Sequence, residues 1–226
     1  MFKLKKGFLF LISLPKTIYF NFKTLPVKKA IKLPFYIHYD FKLGELHKNK
    51  IKIEVPLKKF MIKIGTRNND GIPETSKGFF SISKNALIVF KDNVEISCGT
   101  TVRAIGEGKI FFGKNFYCNK NCTFVSRKLI EIGDDVLVGW NVNVRDSDGE
   151  SHYIEVNNCI KENKKEITIG YHTWICANVS ILKGVHIPDN CVIAYNSCVL
   201  KSFEDKNSLI AGYPAKIVTK NIKWSK

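Results

Sequence analysis

The sequence contains no apolar stretch long enough to cross a membrane. Its N-terminal apolar run, Gly7–Leu14, has eight residues, whereas a membrane-spanning helix needs about 20. Lysines precede this run as in a signal peptide, but Ser13-Leu14-Pro15-Lys16 offers no small-x-small cleavage site. We therefore expect the segment to belong to the mature, cytoplasmic protein. The 226 residues are 45% apolar and 25% charged, which excludes disordered, collagen-like and polytopic membrane proteins.

Acidic residues are scarce, with 20 against 36 Lys and Arg, which gives a net charge of +16. The imbalance is concentrated in residues 1–70, which hold 16 basic and 4 acidic residues. Basic residues interleaved with aromatics occur in nucleic-acid-binding proteins, but no binding module accompanies them, so nucleic acid is not an expected partner. Peripheral contact of the basic N terminus with an anionic membrane, or attraction to a lipid-linked saccharide, is one alternative. Burial of the apolar run in the fold is the other.

The seven cysteines include no Cys-x-x-Cys pair. A disulfide framework is typical of shorter secreted chains. We therefore expect small buried thiols in a reducing compartment.

A six-residue repeat organises the middle of the chain. Between residues 88 and 200, five stretches each carry three apolar positions six residues apart. This period excludes an α-helix and a simple alternating strand. Three short strands joined by turns would form one coil, and stacked coils would bury a continuous apolar column. The fifteen apolar positions are Phe90, Ile96, Val102, Phe112, Cys118, Phe124, Ile132, Val138, Val144, Ile169, Ile175, Ile181, Ile187, Ile193 and Val199.

Insertions into the repeat always fall between the third position of one coil and the first of the next. They follow Val102, Phe124 and Val144, so we expect them at one corner of the prism. Insertions on one edge of a repeat fold often mark its binding face. The largest, residues 145–166, is too polar for a core and is predicted to project. Glycines such as Gly139 directly follow apolar positions, where we expect tight turns that need a permissive backbone.

The flanking regions depart from the repeat. Residues 50–55 and 61–64 alternate polar and apolar side chains, which predicts strands. We expect residues 1–85 to form a basic cap and degenerate coils, because an open end would expose core and strand edges. The repeat occupies residues 86–201, and residues 202–226 form a C-terminal tail.

The repeat, loop and tail together resemble the hexapeptide-repeat acyltransferases. The nearest branch is the sugar O-acetyltransferases, which includes galactoside, maltose and surface-polysaccharide enzymes. The resemblance covers residues 88–224. It implies a mainly β fold, a left-handed parallel β-helix of about five regular coils with an N-terminal cap and a C-terminal tail. It also implies a homotrimer, acetyl-CoA as co-substrate, and a sugar or glycan acceptor. The matching stretches are Ile132–Arg145, Asp146–His152, Ile169–Cys191, Ala211–Ile217 and Asn221–Trp224.

The resemblance places the catalytic histidine early in the loop, at His152. An imidazole that titrates near neutrality can take the proton of a hydroxyl as it attacks a thioester. Asp146 and Asp148 either orient this imidazole or cap turns at the start of the loop. The segment between Asp148 and His152 is two residues longer than in the family.

The resemblance also implies acceptor-binding roles for Asn119 and Arg127. A turn asparagine is the alternative for Asn119. Arg127 stands where galactoside acetyltransferases carry an acidic contact, and arginine can pair with a carboxylate or phosphate. An anionic acceptor is one consequence.

For the acyl donor, the family uses a groove between subunits. Trp174 and Ala177 match positions beside the pantetheine arm, while Tyr195 replaces a small residue and would narrow the groove or point outward. The three matching lysines would lie near the CoA phosphates, with solvated lysine as the alternative. The donor-binding residues implied are Trp174, Ala177, Tyr195, Lys201, Lys216 and Lys220.

The sequence therefore predicts an acetyl-CoA-dependent O-acetyltransferase that acts on a hydroxyl of a sugar or surface-polysaccharide precursor by direct transfer. N-acetylation of an amino sugar is an alternative on the same scaffold. A non-catalytic β-helix scaffold is the alternative of another class, and the loop and tail count against it. A carbonic-anhydrase-type zinc enzyme needs three converging histidines. Only His152 lies in the loop, so no metal is predicted.

Overall fold

A computed structural model describes residues 2–67, 77–149 and 155–225. Its centre is a prism with three faces, on which parallel strands pair one coil with the next. The last strand of the first face, in the C-terminal tail, instead pairs antiparallel with its neighbour. The first face contains β1 (Phe35–Ile37), β4 (Ile62–Thr66), β7 (Val94–Ser97), β10 (Phe116–Cys118), β13 (Leu137–Val138), β18 (Trp174–Ile175), β21 (Val192–Ile193), β23 (Ser208–Gly212) and β24 (Ala215–Lys220). The second face contains β2 (Lys42–Leu43), β5 (Phe79–Ile82), β8 (Thr101–Ala104), β11 (Thr123–Ser126), β14 (Asn143–Arg145), β19 (Ser180–Leu182) and β22 (Cys198–Val199). The third face contains β3 (Ile51–Ile53), β6 (Leu87–Phe90), β9 (Lys109–Phe112), β12 (Leu129–Ile132), β17 (Ile167–Ile169) and β20 (His186–Ile187).

The predicted core is confirmed. Each of the fifteen apolar repeat positions is at most 3% exposed. Residues one repeat apart pair in register, as Val102, Phe124 and Val144 do on the second face. The predicted fold class, a mainly β, left-handed parallel β-helix, is confirmed.

The coils also extend further toward the N terminus than the regular repeat. Strands β1 to β6 pair in parallel with the coils that follow. The predicted strands at residues 50–55 and 61–64 correspond to β3 and β4. The partition into residues 1–85, 86–201 and 202–226 stays a prediction.

Two helices, α1 (Phe2–Thr24) and α2 (Val27–Ala30), precede the first coil. The ring of Phe20 enters the core, with its centroid 5.1 Å from Phe35 and 5.3 Å from Phe80. The apolar run Gly7–Leu14 is not buried as a whole, because the side chains of Phe8 and Leu11 are 63% and 62% exposed. No helix of the described residues has the length and apolar character of a membrane span.

Polar side chains of α1 bond the free edge of β1, the first strand of the first face. Asn21 donates to the carbonyl of Phe35 (3.0 Å) and accepts from its N–H (3.2 Å). Thr17 donates to the carbonyl of Ile37 (3.1 Å) and accepts from its N–H (3.0 Å). An unpaired strand edge is costly when buried, and these side chains replace the missing neighbouring strand.

In the tight turns between strands, the left-handed backbone conformation is adopted by residues other than the predicted glycines. Gly139 has no positive φ. A Cβ there would lie 2.6 Å from the backbone nitrogen of Ala177, so this glycine permits close approach of the next coil. The left-handed turn positions, with φ between 49° and 63°, are Asn115, Asn121, Asp135, Asn141, His172, Asn178, Asn190 and Asn196. Asparagine tolerates this conformation better than most residues.

The cysteines are free thiols, but not all are buried as expected. Cys159 is exposed and Cys176 is partly exposed, while the other five are buried. Burial raises the pKa of Cys118 well above its ordinary value. Cys159 departs from the expectation because it lies in the projecting loop rather than in a coil.

Candidate active site

The insertions emerge from one edge of the prism, as predicted. We call this edge, where strands of the second face lead into the third, the second corner. Its largest insertion leaves the coil after β14 and returns at β17. Within it, β15 (Glu155–Val156) and β16 (Cys159–Ile160) form an antiparallel hairpin. His152, the predicted general base, lies outside the described residues.

The base of this loop is closed by antiparallel pairing. The N–H of Lys165 donates to the carbonyl of Asp146 (2.9 Å), and the N–H of Asp148 donates to the carbonyl of Asn163 (2.9 Å). The two ends of the excursion are therefore held together where they leave the prism.

Asp146 is fully buried at the start of the loop. One carboxylate oxygen accepts from the N–H of Arg127 (2.8 Å). The other accepts from the hydroxyl of Ser126 (2.7 Å) and the N–H of Lys128 (2.8 Å). A buried carboxylate needs such donors. These contacts agree with the capping role, one of the two alternatives that the sequence offered for Asp146. The groups that it caps belong to the preceding coil. Its catalytic role stays a prediction.

Asp148 is more exposed and forms an ion pair with Lys183, which also donates to the carbonyl of Glu162 (2.8 Å). Beside it, Lys128 donates to Glu162 across 3.1 Å. This hydrogen bond lowers the pKa of Glu162 and raises the pKa of Lys128. The loop base therefore carries two ion pairs, Lys183–Asp148 and Lys128–Glu162. Both predicted aspartates already have partners, Asp148 in an ion pair and Asp146 in hydrogen bonds.

A cavity of about 330 Å³ lies beside the loop base. Three arginines from successive coils contribute to it, and Arg103 and Arg145 flank Val125 in the same register. Arg145 donates to Asn143 (2.8 Å). The lining residues are Thr101, Arg103, Ile105, Thr123, Val125, Arg127, Arg145, Ser147, Asp148 and Gly149. A larger cavity of about 440 Å³, on the first face, is lined by none of the predicted site residues.

Other predicted residues lie on a different edge, the first corner, where strands of the first face lead into the second. Asn119 donates to the carbonyl of Val138 (3.2 Å) and accepts from the hydroxyl of Tyr117 (3.2 Å). Ala177 lies on this edge after β18. Tyr195 points outward, is 67% exposed, and accepts from Asn178 (2.8 Å).

The remaining donor candidates are exposed. Trp174 lies on the first face and is 38% exposed. Lys201 follows β22 at the second corner, and Lys216 lies on β24. Lys220, also on β24, pairs with Asp205 (3.0 Å).

The structure therefore divides six of the predicted residues between two edges of the second face. Asn119, Ala177 and Tyr195 lie at the first corner, whereas Arg127 and the aspartates lie at the second. A strand of three residues separates them by roughly 10 Å.

Sequence reasoning missed three contributions to this region. Arg103 and Arg145 each directly follow the third apolar position of a coil. This shared position in the repeat was the sequence signal that the two side chains lie on the same face, in line with each other. Lys183 carries no comparable sequence signal. His172 stacks on Trp224 with ring centroids 4.1 Å apart, which fastens the tail to the coil. Among the described residues, no group of three His, Cys, Asp or Glu side chains could hold a metal.

Comparison with known proteins identifies the class. No protein-family model matches the chain. WbbJ of Escherichia coli, provisionally named an O-acetyl transferase of lipopolysaccharide biosynthesis, is 31% identical over 147 residues, which are 62% of this chain and 74% of WbbJ. Galactoside O-acetyltransferase of E. coli is 37% identical over 109 residues, 48% of this chain, which spans about half (53%) of that enzyme.

The solved structure of NeuO, described as a polySia-specific acetyltransferase, has the same fold. It superposes with a TM-score of 0.54 at 22% identity and covers 85% of this chain and 79% of NeuO. The chain therefore belongs to the hexapeptide-repeat family of sugar O-acetyltransferases. It is an acyltransferase, as the sequence predicted.

Proposed function

We propose that the protein transfers an acetyl group from acetyl-CoA to a hydroxyl of a sugar or surface-polysaccharide precursor. The proposal rests on membership of the O-acetyltransferase family together with a cavity at the base of the excursion loop. In sequence, this loop includes His152. In this reaction the acceptor hydroxyl attacks the thioester carbonyl, His152 takes its proton, and CoA leaves as the thiol. N-acetylation of an amino sugar remains the second candidate.

The acceptor carries a carboxylate or phosphate in this proposal. Arg103, Arg127 and Arg145 line the cavity, and only Asp148 among the lining residues is acidic. Asp148 is paired with Lys183, so the cavity retains an excess of positive charge. Guanidinium groups bind such anions with paired hydrogen bonds.

The active unit is a homotrimer in this proposal. Asn119, Ala177 and Tyr195 lie on the opposite edge of the second face from Arg127. A second copy that set its first corner against this second corner would bring the two groups together. Exposed Trp174, Lys201 and Lys216 are available for the CoA arm and phosphates, and Lys220 would have to exchange its Asp205 partner. A cytoplasmic location belongs to the same proposal.

The test is release of CoA thiol from acetyl-CoA over a panel of neutral, carboxylated and phosphorylated sugars. Wild type is compared with His152→Ala, and we expect loss of turnover by about 100-fold or more in the variant. His47→Ala is the matched control, because His47 bonds Glu45 far from the loop in sequence and should keep full turnover.

Acceptor class is tested with Arg127→Gln. We expect its KM to rise for carboxylated or phosphorylated sugars and to change little for neutral ones. Equal turnover by wild type and His152→Ala would exclude His152 as the base. Absence of acetyl-CoA binding in all proteins would favour the scaffold alternative.

A further inference from the structure

The outward face of α1 is apolar. On a helix of 3.6 residues per turn, five of the six exposed large apolar side chains described in α1 fall within an arc of roughly 100°. The sixth, Phe10, is 37% exposed and packs against the rings of Tyr36 and Phe60. The five lie opposite the buried face that carries Thr17 and Asn21. Val27 and Ile31, in the next helical turn, are 52% and 65% exposed. The five exposed apolar residues of this outward face are Phe8 (63%), Leu11 (62%), Ile18 (45%), Tyr19 (54%) and Phe22 (41%).

Positive charge accompanies this apolar face. Residues 1–39 contain eight lysines and no aspartate or glutamate. Lys23, Lys28, Lys29 and Lys32 are exposed. Within the described part of the chain, none of these four forms an ion pair. Lys16 is used differently, since it donates to the carbonyl of Phe41 (2.8 Å) and fastens the helix to the coil.

We infer that α1 and the following turn lie flat on an anionic lipid surface and hold the enzyme at a membrane. Lipid supplies both an apolar layer for the exposed face and negative charge for the lysines. A second copy packed against the same face would bring two clusters of uncompensated lysines together, which is unfavourable. This inference concerns a surface apart from the candidate active site and does not depend on the acetyl-transfer proposal.

The test is co-sedimentation of the whole protein with vesicles of phosphatidylcholine alone or mixed with phosphatidylglycerol. We expect binding to the mixed vesicles, weaker binding to the neutral ones, and weakening by salt. Leu11→Glu/Ile18→Glu should lower partition by at least about tenfold. Lys28→Gln and Lys29→Gln should each lower it by about fivefold on the anionic vesicles only.

Ile160→Glu is the matched control, because Ile160 is 68% exposed in the loop hairpin and should leave partition unchanged. Thermal unfolding verifies that each variant is folded. The inference is overturned if wild type ignores the anionic vesicles, or if the double variant binds them like wild type. It is also overturned if light scattering shows that the wild type is an oligomer and that the double variant is dissociated. The outward face of α1 would then be a subunit contact.

Discussion

The helix α1 and the coils that follow it bury opposite kinds of side chain. In the coils, apolar residues point inward, and the fifteen repeat positions are at most 3% exposed. Along α1, four of the fully buried side chains are polar, namely Ser13, Thr17, Asn21 and Thr24, whereas large apolar side chains face outward. The difference arises from what each element packs against.

A coil packs against the apolar interior of its own prism, but α1 packs against a strand edge. Such an edge presents unpaired N–H and carbonyl groups that apolar side chains cannot satisfy. Thr17 and Asn21 satisfy them at Ile37 and Phe35. Of the α1 side chains that the structure describes, Phe20 alone passes the edge and joins the apolar core. The polarity of a buried face therefore follows from the chemistry of its partner.

The sharpest test of this contrast uses two phenylalanines of the same helix. Phe20→Ala should cost about 3–5 kcal/mol of unfolding free energy, because it leaves a cavity against Phe35 and Phe80. Phe22→Ala, at a 41% exposed position, should cost less than about 0.5 kcal/mol. Denaturant unfolding at constant m-value measures both. Similar losses for the two would mean that the outward face is packed.

The next effect concerns the buried carboxylate of the second corner. Asp146→Ala should cost about 2–4 kcal/mol, because it leaves the N–H groups of Arg127 and Lys128 and the Ser126 hydroxyl without their acceptor. Asp148→Ala, two residues away, removes a more exposed ion pair and should cost less than about 1 kcal/mol. Equal losses in chemical unfolding would contradict the capping role.

A smaller effect is expected at the strand edge itself. Asn21→Leu preserves bulk but removes both bonds to Phe35, and should cost about 1–3 kcal/mol. Amide hydrogen exchange at Phe35 should accelerate. Thr24→Val is the control, since the Thr24 hydroxyl donates only within the helix, to the carbonyl of Phe20 (2.7 Å). Unchanged protection of Phe35 in Asn21→Leu would show that the edge is sealed by other contacts.

The same contrast explains what the sequence could predict. The core and the corner of the insertions were predictable because the six-residue period repeats five times. The two N-terminal coils lack this period, since longer connections separate their strands. In α1 the apolar side chains recur on the exposed face of the helix. Hydrophobic periodicity alone would therefore assign the wrong face of α1 to the core. The role of Asp146 depends on its distance to Ser126 and Lys128, which no spacing reveals, and His152 stays a prediction from family resemblance.

The smallest effect concerns a polar cap on an exposed corner. Asp189 accepts from the N–H of Tyr171 (2.9 Å) and from Lys206 (2.6 Å). The hydrogen bond from Lys206 lowers its pKa below the ordinary value of 3.8. A lowered folded-state pKa gives stability that is present above pH 3.8 and disappears as the pH falls through the lower folded-state value. Because solvent screens this pair, Asp189→Asn should cost only about 0.5 kcal/mol at neutral pH. Unfolding curves of wild type and variant should converge in acid. A difference that persisted or grew there would assign the stability to the backbone cap instead of the charge.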